Sequence, residues 1–310
     1  MQDLYLRLAK QYTTRNCLAV LLILIWPVTL HSVAEDDQTT PMTYRYWDWG
    51  QTPERDDYQF ELLNLALDKT LDTYGPYHAH RIKRHLSAAR AMREVNTGTL
   101  INVRVAPWVD ENATFFTDAD LNEAVRFPLL QNLLGYRQLI IRQNESAFFD
   151  QLYTVDALKM RVAGQGSMWV DTHIYRHNGF AINDSGTTPF LLAMLANKRI
   201  DYVPMSVIEI DSLLKPESVA RYKVTAAKDI LIFYPFPIVF MTNRNQPELA
   251  ARLEEGLAKA KLDGSFEALF DRYYADLAAR LPQQQNRIFT LENPFIAPES
   301  APKTAQVKPD

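Results

Sequence analysis

Strand-like and helix-like stretches alternate along most of this chain in two separate blocks, a pattern that restricts it to sheets flanked by helices. Residues 43–49 (T-Y-R-Y-W-D-W) form a short aromatic strand signal closed by Gly50 and Pro53. Residues 58–71 repeat Phe60, Leu62, Leu63, Leu65, Ala66 and Leu67 at helical spacing, and Gly75-Pro76 breaks the run. A strand follows over 77–86. Ser87 then caps a helix over 87–95, with Gly98 just past its end, and the next strand spans 100–105.

Residues 109–124 are polar and irregular, and Arg126-Phe127-Pro128-Leu129 leads into an apolar strand at 138–142. Alternation then resumes, with strands expected at 158–163, 181–182 and 200–204 and helices at 168–175, 188–196 and 207–214. A final strand over 230–242 carries Pro235 and Pro237, which suit a crossing point between domains. Helices over 247–262 and 265–281 follow, and the proline-rich remainder reads as an extended tail. Two such blocks joined by more than one crossing strand enclose a ligand cleft.

The first 34 residues read as a secretory signal. Arg7, Lys10 and Arg15 precede an apolar run of 14 residues from Cys17 to Leu30, and Ser32-Val33-Ala34 supplies a small-x-small cleavage site. That run is shorter than the roughly 17–25 residues that span a bilayer. Cleavage after Ala34 would remove Cys17, the chain's one cysteine, so no disulfide framework is expected despite an oxidising destination. It would also remove a segment of net +2 from a chain of formal net charge −4, leaving about −6. A net negative protein argues against nucleic acid or an anionic membrane surface as partner.

Residues 230–274 resemble the end of bacterial extracellular solute-binding proteins of family 3. They contain a returning strand, an N-Q-P-E-L turn, a helix, the D-G-S-F turn at 263–266 and the aromatic pair Tyr273-Tyr274. V-D-A-L at 155–158 with R-V-A-G-Q-G-S at 161–167, and K-R-I-D-Y at 198–202, resemble further family segments in the family's order. The resemblance implies an α/β, two-lobed type II periplasmic-binding-protein fold, each lobe a mostly parallel sheet flanked by helices. Residues 42–132 plus 236–285 would form lobe 1 and 133–235 lobe 2, with hinge strands near 127–138 and 233–238 and an extended tail at 286–310. It also implies a non-catalytic, monomeric periplasmic protein that captures a small polar or aromatic solute and serves an inner-membrane ABC permease. The alternatives are a periplasmic sensory subunit, or a dehydratase-like enzyme with Asp48 as its one candidate carboxylate.

The sequence also departs from the family pattern. Amino-acid binders carry T-x-x-R ahead of F-S-x-P-Y, whereas Asp118, Asp120 and Glu123 precede Phe127-Pro128 here; Arg126 is the nearest candidate clamp and Arg104 the next. Ser206 stands where the family places an aspartate for the ligand's ammonium. An ordinary amino-acid ligand is therefore not expected.

The expected ligand contacts are Trp47 and Trp49 at the end of the first strand, Trp108 after the third, Arg126, and Gln165, Gly166 and Ser167 at a strand-to-helix turn. The turn could hold an anionic ligand group on free N–H groups, or be a plain glycine turn with a serine cap. Trp47 and Trp49 could stack on the ligand or pack beneath the first helix. The histidines 78, 80, 85, 173 and 177 lack zinc-ligand spacing, and 118–122 lacks the glycine and glutamate of a calcium loop, so neither metal nor cofactor is expected. Glu54, Asp56 and Asp57 read as solvated charges at a helix start.

Overall fold

The computed structural model describes residues 40–109, 122–166, 169–283 and 287–296. The signal segment, Asp118, Asp120 and Ser167 lie outside the described residues.

The strands are β1 (Met42–Asp48), β2 (Tyr77–Lys83), β3 (Val103–Pro107), β4 (Glu123–Ala124), β5 (Tyr136–Arg142), β6 (Ala163–Gly166), β7 (Ile182–Gly186), β8 (Val203–Ser206), β9 (Val224–Phe233), β10 (Ile238–Thr242) and β11 (Arg287–Thr290). The helices are α1 (Pro53–Asp68), α2 (Leu71–Tyr74), α3 (Ala88–Thr97), α4 (Ser146–Asp150), α5 (Val155–Lys159), α6 (Val170–His177), α7 (Thr188–Ala196), α8 (Ile210–Leu213), α9 (Pro216–Tyr222), α10 (Pro247–Leu262) and α11 (Ser265–Gln283).

The first sheet has the order β2-β1-β3-β10-β4, with β1 parallel to β2 and β3 and β10 antiparallel to β3 and β4. Helix α1 covers it. Proline at its start fits the first turn, and Tyr58, Leu62, Leu63, Ala66 and Leu67 bury one face. That face meets α10 so closely at Gly256 that an added methyl would collide with the Ala66 carbonyl oxygen. Only glycine permits this crossing.

The second sheet has the order β11-β9-β5-β8 and is mixed, not mostly parallel, because β5 runs antiparallel to both β8 and β9. The β6–β7 pair continues beyond β8 through the Ala163–Tyr202 bridge. Residues 155–159 are helical, where a strand was expected from 158. Thr154 caps them by accepting a hydrogen bond from Ala157 N at 3.3 Å, and the strand starts at Ala163. The tail contributes β11, parallel to β9. Asn293 then ties it to the Pro235 carbonyl at 2.8 Å, so the chain passes once more from α11 to the second sheet.

The two sheets are joined where residues 129–136 run beside residues 233–238. Leu129 N donates to Ile238 O at 2.9 Å, and a methyl on Gly135 would strike the Tyr234 carbonyl oxygen. The residues between β9 and β10 are Y-P-F-P. The prolines thus interrupt what reads as one strand and place the turn-over between lobes there.

Candidate functional site

Charged side chains meet beside the crossing segments. Arg137 sits on β5 in direct register with Ser206, the last residue of β8. Its strand alternates Arg137, Leu139 and Ile141 on the face that packs into the main core, so the guanidinium enters an apolar layer and needs partners there. Asp171 supplies one at 2.7 Å, and the Tyr234 hydroxyl accepts from Arg137 Nε at 2.8 Å. Tyr234 in turn donates to the same Asp171 oxygen, closing a triangle. Glu209 lies 3.9 Å from the other side of the guanidinium. Burial alone would lower the Arg137 pKa; Asp171, Tyr234 and Glu209 more than reverse this, so the side chain stays charged.

Glu209 also pairs with Arg55 on α1, which connects the second lobe to the first. The Arg55 guanidinium rests 5.3 Å over the Trp49 ring, and Arg137 lies 5.0 Å from the Phe236 ring centre. Asp171 is in the first turn of α6, where a carboxylate is favoured by the helix dipole. The helix start expected to receive a ligand's anion therefore already holds one of the protein's own.

The expected contacts divide. Trp49 borders the Arg55–Glu209 pair. Trp47 belongs to a satellite core with Ala91, Val95 and Ile101, and its indole donates to the Arg84 carbonyl at 2.9 Å. It packs beneath α3, and Trp49 borders the same cluster. Trp108 and Arg126 are brought together on lobe 1, guanidinium 5.5 Å over ring, with Trp108 N donating to Pro237 O at 2.8 Å and Arg126 N to Glu254 at 3.1 Å. Arg104 donates to Asn122 at 2.8 Å, and burial pushes its pKa down to about 10. Gly166 lies so close under Trp169 that a side chain there would collide with the indole.

Gln165 is 1% exposed, and neither end of its amide has a hydrogen-bond partner. Gly164 faces Ile200 and Val203, so Gln165 points to the opposite face of β6, the face of Ala163 and Tyr202. Ser206 likewise turns away from Val203 and Met205, and its hydroxyl is fully buried without a partner. Gln165, Ser206 and Arg137 thus lie on one face at adjoining strand ends.

One acidic residue departs from expectation. Asp56 is 1% exposed rather than solvated, because the loop after β1 folds back and Gly50 N donates to its carboxylate at 3.2 Å. Burial, with the neighbouring Asp48 carboxylate adding and Arg55 opposing, raises its pKa to about 6. Asp48 itself is buried and accepts from Arg81 at 2.8 Å. Arg55, Asp171 and Glu209 were missed in the sequence, and so was Arg137; an arginine sharing a strand face with Leu139 and Ile141 was the available signal for it. Among the described residues no group of histidine, cysteine or carboxylate side chains could hold a metal ion.

Solved structures share this architecture. An ancestral arginine-binding protein bound to arginine matches 76% of this chain and 100% of its own, at 13% identity and a TM-score of 0.52. The GluR0 ligand-binding core from Nostoc punctiforme, in complex with L-glutamate, matches 76% and 99% at 12% identity and a TM-score of 0.50. A periplasmic His/Glu/Gln/Arg/opine family-binding protein from Silicibacter pomeroyi, in complex with lysine, matches 74% and 96% at 11% identity and a TM-score of 0.50. No protein-family model and no curated protein sequence matches the chain. The chain has the α/β, two-lobed periplasmic-binding-protein fold of these proteins.

Proposed function

We propose that this chain is a non-catalytic solute-binding protein, exported by residues 1–34, that closes two lobes around a small polar or aromatic solute for an ABC importer. The observation that carries this reading is the contact between lobes. Arg55 on α1 meets Glu209 after β8, next to paired crossing segments and a row of buried polar side chains at strand ends. Ligands collect at such strand ends in open α/β sheets, and hinge closure around them is an established transition. The structural neighbours bound to arginine, glutamate and lysine support capture over catalysis. Asp48, the carboxylate an enzyme reading would use, is engaged by Arg81 instead.

A thermal-shift screen of the purified protein against pooled amino acids, amines, sugars, amides and aromatic acids tests this, with small-angle scattering on each hit. A true ligand at 100-fold excess over Kd adds about 2.7 kcal/mol, or about 5–10 °C in a domain of this size, and contracts the scattering envelope. The absence of any stabilising pool would overturn the proposal.

A further inference from the structure

The charges at the junction between lobes are already spoken for. Two arginines, Arg55 and Arg137, face two carboxylates, Asp171 and Glu209, and ion pairs link all four. Arg137 is further enclosed by the Tyr234 hydroxyl and by the rings of Tyr234 and Phe236. A zwitterion entering here would have to split one of these pairs and strand a buried charge, which proteins tolerate poorly.

At the ends of β6 and β8 the described side chains left without partners are neutral; on lobe 1 the buried Arg55 Nε and one Asp48 oxygen are also without partners. Gln165 offers a buried donor and a buried acceptor, and Ser206, in register with Arg137, offers a hydroxyl that can do either. From lobe 1, the Thr52 hydroxyl stands three residues before Arg55, and the Tyr274 hydroxyl feels the charges of Arg55 and Glu209; both are buried and unpartnered. Buried polar atoms are seldom left unmatched in proteins. An amide with both ends free is the complement of a group that both accepts and donates.

We infer that the solute is uncharged and carries adjacent donor and acceptor groups, as a sugar or polyol hydroxyl pair or a carboxamide does, and that Gln165 and Ser206 recognise it. This rests on the solute-capture reading above. The Asp171–Arg137–Glu209–Arg55 chain then shapes and closes the junction without neutralising the ligand.

The test is isothermal titration of the whole protein with two panels: neutral monosaccharides, polyols and simple amides, and L-arginine, L-glutamate and L-lysine. The expected result is binding from the neutral panel alone, its affinity changing less than about twofold between 50 and 500 mM salt, since no net charge is screened. The members that bind separate hydroxyl from carboxamide recognition. Gln165→Leu and Ser206→Ala should each weaken it by about tenfold or more; where Gln165→Leu does not fold, Ser206→Ala and the salt series carry the test. Binding confined to the charged panel overturns the inference and leaves solute capture standing. Binding from neither panel overturns the inference, and the wider thermal-shift screen then decides solute capture. Neutral binding that survives both substitutions overturns the assigned residues.

Discussion

Each lobe buries one large arginine against two aromatic rings, and the two are used differently. Arg252 of lobe 1 lies 5.5 and 5.3 Å from the Tyr74 and Tyr77 rings and donates to the Gly75 carbonyl at 2.7 Å and the Thr70 hydroxyl at 3.1 Å. Those acceptors all belong to the end of α1 and the turn beyond it, so Arg252 serves as a cap for its own lobe. Arg137 of lobe 2 is held by carboxylates, and one of them, Glu209, reaches Arg55 in the other lobe. A buried cation satisfied by local carbonyls fixes a fold. One satisfied by carboxylates, of which Glu209 also reaches Arg55 on α1, links the two sides of the crossing segments.

The largest expected effect tests that contrast directly. Arg137→Met strands Asp171 and weakens the setting of Glu209, at a cost of about 3–5 kcal/mol as for other broken buried pairs. It should also abolish any solute response. Arg252→Met keeps most of the apolar stem and loses charge-assisted bonds to neutral acceptors, costing about 1.5–3 kcal/mol, with solute response intact. Urea unfolding and calorimetry measure both. Equal costs, or a solute response lost in both variants, would break the distinction.

A second contrast lies between acids. Asp56, with its pKa raised to about 6 from 3.8, binds a proton more tightly folded than unfolded. Its contribution is therefore fully present below about pH 4 and is lost as pH rises through 6, a swing of about 3 kcal/mol. Asp56→Asn keeps an acceptor for Gly50 N and removes the titration. The variant's stability relative to the native protein should climb by about 2–3 kcal/mol between pH 4 and pH 7.5. A difference that stays flat with pH would show that the carboxyl is ionised throughout.

The parts of the fold that were legible are those with local punctuation. Ser87 caps α3 by accepting from Arg90 N, and Gly98 ends it at a positive φ of 66°. Pro247 opens α10 and the following glycine separates it from α11, each visible as a residue whose backbone preference allows little else. The crossing at Pro235 and Pro237 was legible for the same reason. What escaped depends on contacts distant in sequence. Arg55 and Glu209 are 154 residues apart, and nothing near either residue marks the other. Asp56 stands in an R-D-D run that looks solvated until the loop after β1 folds back over it. Trp47 was read correctly as belonging to a strand end, but its alternation put it under α3, where Ala91 and Val95 await it. Gln165 stood out in the sequence between two glycines, and the structure buries it on β6.

The smallest expected effect on stability is the most specific to the hinge. Arg55→Ala removes the bond between α1 and Glu209 while leaving Glu209 within 3.9 Å of Arg137, so no carboxylate is stranded. Because Glu209 keeps Arg137 as a partner, the loss in unfolding free energy should be about 1–2 kcal/mol, below the cost of stranding a buried charge. The closed arrangement, however, loses the charge pair from α1 to lobe 2, and the open arrangement loses nothing. Because apparent affinity scales with the fraction of closed protein, solute binding should weaken by about tenfold, or 1.4 kcal/mol. Small-angle scattering without solute should show a larger radius of gyration than the native protein, and added solute should restore it. If the radius is unchanged, Arg55 and Glu209 are neighbours across the junction without holding it, and Arg137 resembles Arg252 more than the comparison allows.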